Sequence, residues 1–135
     1  MIGEQGSKEK IAAVLTRPDE PATDEEQKRL RGWARGSAAM ALGIMQARTH
    51  EDAVAKLLND DEGYVREAAA VALVLMDSQK HAGAALAATG ESARRMLSYH
   101  YFSPVVEDQV LAIRRRYDDN LRAIRARLNQ GAAKP

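Results

Sequence analysis

The chain has 135 residues, of which 45% are hydrophobic and 29% are charged, a balance that favours a globular domain with a buried core over a disordered chain. It contains no cysteine, which excludes disulfides, thiolate metal sites and cysteine nucleophiles. No apolar run approaches the roughly 20 residues that a membrane-spanning helix needs, and the N-terminal residues lack a secretory signal pattern. We therefore expect a cytoplasmic protein with no membrane partner.

Charge is unevenly distributed along the chain. Residues 1–90 carry 11 basic and 14 acidic side chains (net −3), whereas residues 91–135 carry 9 basic and 5 acidic side chains (net +4). The C-terminal excess of positive charge is the chain's main electrostatic indication of an anionic partner.

The apolar spacing predicts helices throughout, and no run with the period of two that is typical of strands occurs. The predicted helices, in chain order, cover residues 8–16, 24–46, 51–58, 63–76, 79–88, 91–101 and 103–129. We expect Ser7, Asp24 (or Thr23) and Thr49 to cap the first three of them. The predicted fold class is all-α.

The second predicted helix contains an apolar face and three glycines. The glycines, at positions 32, 36 and 43, indicate either close contact with a neighbouring helix or a bend near Gly32. The predicted apolar, buried face of this helix comprises Leu30, Trp33, Ser37, Met40, Ala41, Ile44 and Met45.

Residues 32–45 are repeated, with substitutions, as residues 63–76. At this offset of 31 residues the identical pairs are Gly32/Gly63, Arg35/Arg66, Ala38/Ala69, Ala39/Ala70, Ala41/Ala72, Leu42/Leu73 and Met45/Met76. A repeat of this length is typical of stacked helical hairpins, because one hairpin cannot bury its apolar face alone.

Residues 60–73, which read Asp-Asp-Glu-Gly-Tyr-Val-Arg-Glu-Ala-Ala-Ala-Val-Ala-Leu, follow the outer-helix pattern Ala-Val-Ala-Lys-Leu-Leu at 53–58. Together they resemble a HEAT repeat of the short bacterial kind found in phycobilisome lyase-like proteins. The resemblance implies an α-solenoid of about three stacked hairpins over residues 1–102, with about six flexible N-terminal residues. A long amphipathic helix over residues 103–130 would close the same domain and precede a tail at 131–135.

The resemblance also implies a non-catalytic scaffold or adaptor that binds a protein partner through its inner-helix face. Aromatic and arginine side chains anchor interfaces most often, so the expected partner-binding residues are Trp33, Arg35, Tyr64, Arg66, Arg94 and Arg95. For the two repeated arginines the alternative is a structural bond to the preceding acidic turn, where Asp60 or Asp61 is available to Arg66. A lyase-type accessory role is conceivable from the family, but no residue pattern here supports it.

The long C-terminal helix provides an alternative function. Its arginines could track a phosphate backbone, and they are Arg114, Arg115, Arg116, Arg122, Arg125 and Arg127. The competing interpretation is a solvated face with local ion pairs from Asp118. The apolar stripe of this helix is expected to pack on the last hairpin, and a homodimer through its free part is possible.

No arrangement of side chains indicates catalysis, and we expect neither an enzyme nor a cofactor. His50 and His81 are also 31 residues apart, but two histidines on separate hairpins make a poor metal site. We expect both to be solvated residues at helix starts.

Overall fold

The computed structural model describes residues 4–16, 24–89 and 107–133. Within these ranges every regular element is helical, so the predicted all-α class is confirmed. Six α-helices pack together: α1 (Glu4–Thr16), α2 (Glu25–Ile44), α3 (Glu51–Lys56), α4 (Gly63–Leu75), α5 (Ala82–Ala88) and α6 (Glu107–Ala133). Short 3₁₀ turns at Arg48–His50 and Leu57–Asn59 flank α3.

The helix bounds differ from the predicted ones mainly at the ends. α1 starts at Glu4, before the predicted cap, and α3 follows His50, so Thr49 does not cap it. Asp24 does cap α2, because its side chain accepts a hydrogen bond of 2.7 Å from the Gln27 amide. α6 continues to Ala133 rather than ending near residue 129. The predicted helix at 91–101 and the predicted start of α6 at 103 lie outside the described residues.

α4 is the centre of the fold. Every residue from Ala68 to Met76 is fully buried, because this stretch is apolar on all sides of the helix and must be covered on all sides. α4 packs against α2, α3, α5 and α6.

Helices α2 and α4 run parallel and touch through glycines. A Cβ atom added to Gly32 would meet Glu62, one added to Gly36 would meet Tyr64, and one added to Gly43 would lie 2.6 Å from the Cα atom of Ala72. Residues in the first half of α2 thus contact residues at the start of α4, and residues near the end of α2 contact residues in the second half of α4. The predicted close approach is confirmed, and α2 is continuous through Gly32 rather than broken there.

The predicted buried face of α2 is wrong in its N-terminal half. Leu30 and Trp33 are exposed, while Gly32 and Gly36 are buried there instead. A stripe of small residues permits closer contact between helix backbones than large side chains do, and here that stripe packs on α4.

The two segments related by the 31-residue offset end in the same way. Gln46 and Asp77, which follow α2 and α4, have φ values of 54° and 53°. The amide of Ala47 bonds the carbonyl of Leu42, and the amide of Ser78 bonds that of Leu73, each at 3.0 Å. Both helices therefore end in a Schellman cap with a left-handed residue after the last turn.

α6 crosses the C-terminal ends of α2 and α4. Arg116 donates hydrogen bonds of 3.2 and 2.8 Å to the carbonyls of Gly43 and Ile44, and Asn120 donates one of 2.9 Å to Val74. The Ile44 carbonyl is one of the terminal carbonyls that lack a partner within the helix, and the carbonyls of Gly43 and Val74, which also accept the amides of Gln46 and Asp77, gain a second donor. None of the helices in the described part of the chain has the length and apolar character needed to cross a membrane.

Candidate protein-interaction surface

The N-terminal part of α2 projects beyond the start of α4. Gly32 lies opposite Glu62, the residue that precedes α4, so residues 25–31 have no α4 neighbour over about 10 Å of helix. Leu30 is 62% exposed and Trp33 is 50% exposed. Two large apolar side chains are thus left in solvent one helical turn apart.

Trp33 is held in place by an aromatic stack. Its ring lies on that of Tyr64 with a centroid distance of 5.3 Å and an interplanar angle of 9°. Tyr64 in turn lies against Gly36, where a Cβ atom would come within 2.3 Å of the tyrosine ring. Burial raises the pKa of the Tyr64 hydroxyl. The Trp33 and Tyr64 rings thus form one stacked aromatic pair that joins α2 to the first turn of α4.

Arg35 is engaged inside the protein. Its Nε and Nη2 atoms donate bonds of 2.9 and 3.1 Å to the two carboxylate oxygens of Asp60, and the two side chains are 19% and 11% exposed. Such a bidentate pair is strong and directional. The same carboxylate accepts the Glu62 amide at 3.0 Å. Arg35 therefore fastens α2 to the turn that starts α4.

Arg66 contacts the same turn through the backbone. Its Nη1 atom donates to the carbonyls of Asp60 and Asp61 at 2.7 and 3.0 Å, while the residue as a whole is exposed. The acidic turn before α4 is thus held from two sides, by Arg35 through its carboxylate and by Arg66 through its carbonyls. Arg66 is exposed beside Tyr64, whereas the Arg35 side chain is only 19% exposed.

The structure brings four of the six predicted partner-binding residues, Trp33, Arg35, Tyr64 and Arg66, around one turn. Arg94 and Arg95 lie outside the described residues. Leu30 was missed as a surface residue, because its position in the apolar pattern placed it in the core. We call the exposed Leu30, Trp33 and Arg66, together with the half-buried Tyr64, the aromatic surface.

The arginines of α6 divide into two groups. Arg116 bonds the end of α2, and Arg127 bonds the Asp77 carboxylate at 3.2 Å; burial lowers the pKa of Arg116. Of the remaining four, Arg115, Arg122 and Arg125 are exposed, whereas Arg114 is half-buried. Only Arg122 of these has an ion-pair partner in the described chain, Asp119 at 3.8 Å.

The two histidines pair with carboxylates, so the expectation of solvated side chains is wrong. His81 Nε2 lies 2.7 Å from Asp52, and His50 Nε2 lies 3.3 Å from Glu9, with histidine exposures of 22% and 14%. The His50 contact joins the start of α3 to α1, and the His81 contact joins the start of α5 to α3. The pKa of Asp52 is lowered by its hydrogen bonds with His81 and Lys80. Among the described residues no group of three potential ligands could hold a metal.

Comparison with known proteins found no matching family model and no significant similarity to a curated protein or a solved structure.

Proposed function

We propose that this protein is a non-catalytic scaffold or adaptor that binds a protein partner through the aromatic surface. The observation that carries the proposal is the solvent-exposed Trp33, fixed by its stack on Tyr64 and flanked by Leu30. A rigid, half-exposed tryptophan loses little conformational entropy when it is covered, and tryptophan is enriched among interface hot spots. Arg66 supplies an adjacent polar contact at the rim.

The arrangement of helices supports a HEAT-like solenoid as the framework. Helices α1, α3 and α5 form one row, joined by the contacts of His50 and His81 with earlier helices. Helices α2 and α4 lie parallel in a second row, as inner helices of consecutive hairpins would. In this arrangement the aromatic surface combines α2 of one hairpin with the first turn of α4 of the next.

Trp33 is the single tryptophan of the chain, so its fluorescence reports directly on the proposed site. Affinity capture from the source cell extract with wild-type protein, compared with a Leu30→Ser/Trp33→Ser variant, should identify a partner that only the wild type retains. Mixing the purified partner with wild-type protein should then shift Trp33 emission to shorter wavelength, because the indole leaves water on binding.

A matched control keeps the result specific. Lys10→Ser/Lys56→Ser alters two exposed residues on α1 and α3 and should leave capture unchanged. The proposal fails if the Leu30/Trp33 variant retains the same partner as wild type, or if the partner binds without any change in Trp33 emission.

A further inference from the structure

The outward side of α6 carries a positive surface separate from the aromatic surface. The inward side is fixed by the buried Tyr117 and Ile124 and by the hydrogen bonds of Arg116 and Asn120. Because the helix is held in this orientation, the side chains facing away from the core are set by helical periodicity. Of the arginines that bond no other helix, Arg115, Arg122 and Arg125 are exposed, and we call these three the outward arginines; Arg114 is half-buried.

Arg115 and Arg122 lie on nearly the same line of the helix, because seven residues make almost two full turns. They are separated by about 10 Å at 1.5 Å per residue, and Arg125 lies three residues beyond Arg122. This separation is close to the width of about 12 Å of the B-DNA major groove, so Arg115 can meet the phosphates of one strand while Arg122 and Arg125 meet those of the other. We propose that α6 binds the phosphate backbone of double-stranded DNA without sequence preference.

Two acidic residues, Asp118 and Asp119, lie between Arg115 and Arg122 in the chain and reduce the charge of this face. Asp119 is 3.8 Å from Arg122 and both side chains are well exposed, so the pair is weak and opens at little cost. Asp118 is half-buried and also engaged within the protein. Three exposed arginines against two aspartates leave a net positive face, and removal of Asp119 should strengthen DNA binding.

The composition of this face favours a duplex over a single strand. Proteins that bind single strands without sequence preference stack the bases on aromatic side chains. Tyr117 is the one aromatic residue of α6, and it is only 2% exposed. α6 can therefore contact the phosphate backbone, but it has no exposed aromatic side chain on which bases could stack.

The test is fluorescence anisotropy of a labelled 20-base-pair duplex with the full chain at several salt concentrations. Two to three phosphate contacts predict an affinity that falls by about 12- to 40-fold between 50 and 200 mM salt. Replacing two of the outward arginines, as in Arg122→Gln/Arg125→Gln, should lower the slope of log K against log salt by about 1.8. Asp119→Asn should tighten binding.

The matched control is Arg29→Gln/Arg31→Gln, which removes the same charge from α2 and should leave the slope unchanged. The proposal is overturned by absence of binding at 25 mM salt, by equal losses in the α2 control, or by tighter binding to the single strand. Equal affinity for polyglutamate of matched charge would also overturn it, since the surface would then attract any polyanion. Because the outward arginines are distant in the chain from Trp33, failure here leaves the proposed scaffold function untouched.

Discussion

The close contact of α2 with α4 at Gly43 can be tested by a single methyl group. In Gly43→Ala the new Cβ atom would lie 2.6 Å from the Cα of Ala72 and 3.1 Å from its carbonyl oxygen. Backbone atoms cannot rotate away as a side chain can, so the two helices must separate. Overpacking of this kind costs about 1–3 kcal/mol, and contact with backbone places it near the upper end.

The substitution also has a favourable effect, since alanine is better than glycine in a helix by about 1 kcal/mol. The expected net loss is therefore about 2 kcal/mol, equivalent to a fall in melting temperature of about 7 °C for a chain of this size. Thermal and urea unfolding followed by circular dichroism would measure it.

The matched control is Gly83→Ala in α5, where a Cβ atom would meet nothing within 4 Å. Only the helix-propensity gain applies there, so stability should rise by about 0.5–1 kcal/mol. A Gly43→Ala protein as stable as wild type would refute the inference that α2 and α4 touch at this point. Destabilisation by both substitutions would instead point to a general intolerance of alanine.

Three further substitutions test other contacts. Gly36→Ala places a methyl group against the movable Tyr64 ring rather than backbone, so it should change Trp33 emission while costing less stability than Gly43→Ala; an unaltered spectrum would contradict the stack. Gln46→Gly should stabilise by about 0.5–1 kcal/mol, because glycine adopts the positive φ without strain, and a loss in urea unfolding would argue against the left-handed cap. Asp52 has a lowered pKa, so its carboxylate stabilises the fold above the unfolded-state pKa of about 3.9, and this is lost as the pH falls through the lower folded-state pKa. Asp52→Asn should thus weaken the protein at neutral pH but not in strong acid, and equal losses at both pH values would exclude the ion-pair explanation.

Several features of the fold could be predicted from sequence because one physical cause dominates each. The all-round apolar stretch of α4 leaves only a buried position for that helix. Asp24, followed by two glutamates, marks the start of α2 because a side-chain oxygen satisfies a free amide and the acids favour the helix dipole. The glycines of α2 indicated a close neighbour, and α4 is that neighbour.

Other features, such as which face of α2 is buried, could not be predicted because two faces of the helix have equally suitable residues. On α2 both the large apolar residues and the small ones have helical spacing, and only the position of α4 shows that Gly32 and Gly36 are buried while Leu30 is not. The partner of Arg35 was also unpredictable. Asp60 lies 25 residues away, and the equivalent Arg66 uses the carbonyls of that turn instead.

α6 both stabilises the fold through its inward side and carries the proposed DNA-binding arginines on its outward side. An experiment on DNA binding must therefore change one side without the other. A chain that ended before α6 would lose the donors that Arg116 and Asn120 supply to the ends of α2 and α4, and it would expose the core around Tyr117 and Ile124. The Gly43 and Val74 carbonyls would keep their bonds from the amides of Gln46 and Asp77, but leaving the Ile44 carbonyl unsatisfied costs about 1–3 kcal/mol if it stays buried. Loss of DNA binding by that truncated chain would therefore follow from unfolding as readily as from loss of charge. Glutamine substitutions at the outward arginines keep the inward contacts and change only the charge that phosphate would meet.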